Sequence, residues 1–170
     1  MAVAEIIGAA IGVMMLVIVA YVLVGSVLTA AEVVNNAQKD LTLLNEARMR
    51  TDISIYPSSA RIIPDILEPI LTFCLNNTGS EIIGDFTHMD VFTTNETGIQ
   101  RYIYYPSYDF TALGKIEHWS ISRFDRDFVH PGMLDPGEAV WINATYVGEK
   151  PTTVLVSTSN GVYTSTTIPP

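Results

Sequence analysis

His88 and Asp90 stand two apart in a run of alternating residues. That spacing sends both side chains to one face of a strand. An imidazole and a carboxylate so placed can hold a metal, but two ligands do not make a site, and a surface pair is the expected reading. Asp125, Asp127 and Asp135, interrupted by Arg126, are of the kind that binds calcium. They lack the regular spacing of a calcium loop and read as a solvated loop. Cys74 is the sole cysteine, so no internal disulfide forms. It has no histidine near it on its strand, and its apolar neighbours point to a buried thiol. No GxSxG, GxxxxGK[ST], HExxH or paired-cysteine motif occurs. The expectation is a protein that is not an enzyme and has no cofactor and no metal site.

Three further patterns concern contact rather than catalysis. Asn76, Asn95 and Asn143 each open an Asn-x-Thr acceptor for N-glycosylation, which leans towards a domain outside the cell because glycans are bulky surface groups. Tyr102, Tyr104, Tyr105 and Tyr108 form a tyrosine-rich run. Tyr102, Tyr104 and Tyr108 are candidates for a partner face, since tyrosine offers rigid contact area with a polar tip; a core-and-edge role fits the same residues. Gly8 and Gly12 make one GxxxG step that lets two helices approach closely, although glycine is also simply common in membrane helices.

These residues need elements to carry them. Ile6 to Ala31 is a run of 26 residues without a charge, closed by Glu5 and Glu32. As a helix it reaches about 39 Å, more than the roughly 30 Å hydrocarbon core. No Lys or Arg precedes it, and it exceeds the roughly 7–15 residues of a signal core, so it is expected to be retained as a membrane span. Val33, Ala37, Leu41, Leu44 and Arg48 continue at helical spacing, and no proline intervenes before Pro57. One helix from residue 3 to 50, about 70 Å long, would be half span and half stalk. Lys39, Arg48 and Arg50 beyond the span favour a cytoplasmic domain by the positive-inside rule, but they are distant and mixed with Asp40 and Glu46. The glycosylation acceptors argue for the opposite orientation.

After Arg50 the apolar period changes from 3.6 to 2. Residues 51–170 carry 14 acidic and 6 basic side chains, a net charge of −8, which disfavours a nucleic-acid partner. Leu71, Phe73 and Leu75 alternate with Thr72 and Cys74; Met89 and Val91 alternate with Asp90 and Phe92; Trp119, Ile121 and Arg123 alternate with His118 and Ser120. Turns are marked by Asn76-Asn77-Thr78-Gly79, Asn95–Gly98, Leu134-Asp135-Pro136-Gly137-Glu138 and Ser159-Asn160-Gly161. Seven or eight short strands follow, and burying their alternating faces with so little helix asks for two packed sheets. The expected fold is an all-β, immunoglobulin-like sandwich (51–170) preceded by a long transmembrane and stalk α-helix (1–50).

The apolar helix, the stretch AEVVNNAQKDLTLLNEARMRTDISI, the Asn-Asn-Thr-Gly turn, Leu-Asp-Pro-Gly-Glu and Val-Ser-Thr-Ser-Asn-Gly-Val together resemble the archaellum accessory proteins FlaF and FlaG, within the archaeal flagellin-like group. The resemblance spans nearly the whole chain through short structural motifs. It implies a single-pass protein of the cytoplasmic membrane with its β-domain outside the cell. It also implies a stator-like role in cell motility, linking the rotary motor to the S-layer or another envelope protein. The implied partners are that envelope protein, a companion accessory protein and further copies of the chain. Archaellins and type IV pilin-like subunits share the helix-plus-sandwich plan, and Glu5 is similar to the acidic residue near the start of mature pilins. They usually carry a basic leader before the helix, which has no counterpart before Glu5. An extracellular filament subunit is therefore the alternative reading.

Overall fold

The computed structural model describes residues 2–64, 69–103, 118–146 and 148–169. Tyr104, Tyr105 and Tyr108 lie outside the described residues. The chain divides into two compact units, Met1–Asn45 and Glu46–Pro170.

Among the described residues one α-helix, α1, is present; it runs over Ala2–Arg50, matching the expectation from residue 3 to 50. Glu5 lies in its first turn and Arg48 and Arg50 in its last, each sign opposite to the dipole end beside it. The Ser26 and Thr29 hydroxyls donate to the carbonyls of Leu23 (2.8 Å) and Gly25 (3.0 Å), so the apolar stretch exposes few unsatisfied polar groups. Its apolar residues meet no core: Leu16 is 70% exposed and Leu28 65%.

The second unit is built from nine described strands in two sheets, in which all pairs are antiparallel. The first sheet holds β1 (Ile53–Ile55), β2 (Arg61–Ile63), β3 (Ile70–Asn77), β6 (Trp119–Asp125) and β7 (Ala139–Thr145). Its order is β1-β3-β7-β6, with β2 also on β3. The second holds β4 (Asp90–Asn95), β5 (Gln100–Ile103), β8 (Pro151–Ser157) and β9 (Tyr163–Thr167), in the order β5-β4-β8-β9.

The eight-residue β3 takes two short partners along one edge: β1 opposite Leu75–Asn77 and β2 opposite Ile70–Thr72. Between them a 3-10 turn, Pro57–Ser59, breaks the ladder, because Pro57 has no N–H to give. The gap is closed by Cys74 N donating to Ser59 Oγ at 2.8 Å.

Residues of both sheets form one core: Leu71, Phe73, Leu75, Trp119, Val140 and Ile142 from the first, Val91, Ile103, Val154 and Val156 from the second. Cys74 is buried as expected. Burial and the nearby Asp125 raise its thiol pKa, partly offset by Arg123.

Two placements differ from the alternation read in the sequence. His88 is not on a strand; it ends a 3-10 turn, Phe86–His88, ahead of β4. Arg123 does not share a face with Trp119 and Ile121. The β6–β7 register shifts between Ile121 and Arg123, so Ser122 is an extra residue. Ile121 and Phe124 both pack against the core, while Ser122 and Arg123 between them turn outward. A bulge of this kind re-aims side chains without ending the strand.

Candidate functional site

The titratable residues are engaged in building loops. His88 Nδ1 lies 2.8 Å from Asp85 Oδ2 rather than pairing with Asp90. Asp85 also accepts from the Thr87 hydroxyl at 2.8 Å. The Thr87 and then the His88 hydrogen bonds hold the Asp85 carboxyl below its ordinary pKa. Asp135 and Glu138 are buried, but both are satisfied. Asp135 accepts from His130 N at 3.0 Å and faces His130 Nδ1 at 2.8 Å. Glu138 accepts from Asp135 N (3.2 Å) and Phe128 N (3.4 Å). Asp127 accepts from Gly132 N at 3.1 Å. In the Asp135-Pro136-Gly137-Glu138 turn, Gly137 takes φ +82° as its sequence asks. The acidic cluster is thus a backbone-binding scaffold that displays Phe128 in solvent, 82% exposed. Among the described residues no three His, Cys, Asp or Glu converge on a point that could hold a metal.

The three acceptor asparagines sit in different surroundings. Asn95 caps its own hairpin turn: Oδ1 accepts from Thr97 Oγ1 and Ile99 N, both at 2.8 Å, and Nδ2 donates to Glu149 at 2.7 Å. Asn76 is half-buried near the end of β3. Asn143 is half-buried in β7, a strand flanked on both sides, and accepts from the Thr72 hydroxyl at 2.8 Å. Gly8 and Gly12 face open space on the helix, with nothing within 4 Å of a Cβ built on either. Tyr102 lies on β5 opposite Phe92, their ring centroids 5.3 Å apart. Leu155 follows Phe92 in the same cross-strand row, and all three are half-buried.

The strongest polar network was not visible in the sequence. It surrounds the end of α1, within the Glu46–Pro170 unit. A helix leaves its last carbonyls without partners. Here the Arg50 carbonyl accepts from Ser80 N (2.8 Å) and Glu81 N (3.2 Å), and the Asp52 carbonyl from Thr78 N and Gly79 N (both 3.0 Å). Arg50 Nε lies 3.5 Å from Glu81 Oε2. The approach is so close that a Cβ on Gly79 would overlap Asp52 N and Arg50 O. Thr51 Oγ1 donates to Ala47 O (2.8 Å) and accepts from Asn160 Nδ2 (2.6 Å), so the β8–β9 turn also holds the helix end. Asn77, fully buried, supports the loop. Its Nδ2 donates to Glu81 O (2.8 Å) and Leu134 O (2.9 Å), its Oδ1 accepts from Gly79 N (3.1 Å), and its backbone bonds Glu138 and Gly137. Asn76-Asn77-Thr78-Gly79 signals a turn, but nothing in that string says that the turn receives a helix terminus.

No family model matches the chain, and no curated protein matches it. Solved structures do match. The archaellum periplasmic stator protein FlaG from Sulfolobus acidocaldarius is 18% identical, covering 68% of this chain and 96% of that one at a TM-score of 0.46. The complex of archaellum periplasmic stator proteins FlaF and FlaG from the same organism is also 18% identical, with 63% and 85% covered at 0.43. The human cytomegalovirus protein US2, bound to the MHC class I molecule HLA-A2/tax, is 12% identical, with 70% and 99% covered at 0.34.

Proposed function

We propose that this chain is a membrane-anchored, non-enzymatic accessory component of an archaellum, stator-like, linking the motor to the S-layer or another envelope protein. The observation that carries the anchored part is the helix Val3–Arg50, whose most apolar 18-residue stretch has mean hydropathy 2.8 and is 0% buried. That apolar surface finds no partner in its own unit, and a bilayer supplies one. The motility part is supported by the resemblance of the sequence stretches 31–55, 76–79, 134–138 and 156–162 to FlaF and FlaG.

In this reading residues 1–50 are anchor and stalk, and residues 51–170 an immunoglobulin-like sandwich outside the cell. Asn76 and Asn95 are then available to a glycosylation machinery, whereas Asn143 lies mid-strand with its side-chain oxygen held by the Thr72 hydroxyl. Gly8 and Gly12 support packing of α1 against a companion accessory protein or a second copy. Tyr102, continued by Tyr104 and Tyr108, gives a partner face together with Phe92. The hydrogen-bonded receptor for Arg50, Thr51 and Asp52 is suited to carrying load, because four backbone bonds and the Asn160–Thr51 bond must break together for the helix end to leave it.

Intact mass and N-terminal sequencing of the native protein, with density-gradient separation of membranes from sheared filaments, test the reading. A full-length chain in the membrane fraction is the expected result. Enrichment in sheared filaments at near-stoichiometric amounts would replace it with the filament-subunit reading, to which Glu5 in the first helical turn is suited.

A further inference from the structure

The outer face of the first sheet is grooved. The cavity, about 350 Å³, is lined by Arg61 on β2, Thr72 on β3, Asn143 and Trp141 on β7, and Ser122 and Arg123 on β6. Two features of the fold make it. The return of β2 along β3 raises one wall, with Ile63 and Ile70 as an apolar shoulder. The bulge in β6 turns two consecutive residues outward and raises the other.

Its chemistry runs against that of the domain. Residues 51–170 have net charge −8 with only 6 basic side chains, yet among the described residues two of those six, and no carboxylate, line this groove. Both arginines are exposed, and neither forms an ion pair within the described residues. The floor supplies donors. The Asn143 side-chain oxygen is taken by the Thr72 hydroxyl, which leaves the Asn143 amide N–H groups and the Ser122 hydroxyl to face a ligand. Arg123 Cζ sits 5.1 Å from the centroid of Trp141, a stacking that limits the guanidinium's freedom and presents its N–H edge. Two guanidinium groups beside the Asn143 amide select an acceptor-rich, anionic group, and a guanidinium fork suits a carboxylate. The guanidinium also covers the Trp141 ring face on which a sugar would stack.

We propose that the groove binds an extended acidic peptide segment of a partner protein, with carboxylates on Arg61 and Arg123 and a neighbouring apolar side chain on Ile63 and Ile70. Charge complementarity identifies the occupant: in an extended chain residues i and i+2 point the same way, so acidic and apolar side chains spaced two apart face the arginines and the apolar shoulder of one groove together. The inference is independent of the motility reading.

The full chain in detergent micelles is titrated calorimetrically with the acetylated and amidated pentapeptide Glu-Ser-Leu-Ser-Glu, with its Gln-Ser-Leu-Ser-Gln counterpart and with a heparin-derived hexasaccharide. The expected result is saturable binding of the Glu peptide, at least about tenfold weaker binding of the Gln peptide, and a similar loss in the R61Q/R123Q variant. The Glu–Gln peptide comparison needs no variant, so the test stands even if the variant fails to fold. Equal binding of both peptides, unchanged binding by a folded R61Q/R123Q, or tighter binding of the saccharide would each overturn the proposal. So would an intact mass showing a glycan on Asn143 in the native protein, because that glycan would fill the groove.

Discussion

Residues of the same types meet opposite fates in the two units of this chain. In α1, Ile, Val and Leu stand in the open, most of them more than half exposed. In the β-domain, Leu71, Phe73, Val91 and Val156 have no exposed surface. The difference lies in what each segment can reach. A lone helix cannot cover its own sides, whereas residues of the two sheets meet in one core. Apolar surface left open in one unit has to be covered by something outside that unit, and apolar surface closed in the other stabilises the fold. Each unit should respond to perturbation separately.

The largest effect is expected from Phe73→Ala. Emptying a fully buried aromatic site should cost the domain about 4 kcal/mol, seen as a lower domain melting transition, while membrane partition of the chain stays unchanged. Loss of both together would dissolve the contrast. The converse variant, Leu16→Lys, places a charge in mid-span. It should weaken insertion by about 3 kcal/mol on a translocon scale, read from a glycosylation-mapping insertion assay, and leave the domain's melting transition in place.

A third variant sharpens the boundary between the units. Asn77→Ala leaves the Leu134 and Glu81 carbonyls and Gly79 N–H short of a buried partner. It should destabilise the domain by about 2 kcal/mol, and hydrogen exchange at Ser80 and Glu81 should speed up with it, since their amides hold the Arg50 carbonyl. Exchange there that is no faster than elsewhere in the domain would separate Asn77 from the helix receptor.

The smallest effect concerns Asp85. Its pKa is lowered in the folded chain, so its contribution is present above the ordinary value of 3.8 and is lost as pH falls below it through the folded value. Because the group is fully exposed, a site titration is the proper readout rather than a melting curve. An NMR titration should place the Asp85 midpoint below 3.8, and Thr87→Val should move it back up, the Thr87 hydrogen bond being the first cause.

Much of this was legible in the sequence because it depends on neighbours along the chain. A charge-free run and an unbroken helical period announce α1 to within a residue or two at either end. Period-two alternation identifies Leu71, Phe73 and Leu75 as core, and Asn95–Gly98 and Ser159-Asn160-Gly161 as hairpin turns, since strand pleat and turn geometry are local. The same local rule failed at Arg123 and His88. One unpaired residue, Ser122, reverses the alternation, and a bulge is settled by the partner strand β7 rather than by the bulged strand. His88 followed Asp85 and Thr87 into a 3-10 turn instead of the strand. The candidate site depended still more on distant partners. Arg61 and Arg123 are 62 positions apart, and Asn160 reaches back 109 positions to Thr51. Sequence by itself determined which segments are helix and strand and which faces are apolar, because backbone periodicity and turn chemistry act over a few residues. Tertiary structure alone decided that a turn receives the end of a helix and that two cations of an acidic domain share one groove, because strand order and register bring together residues that no local spacing relates.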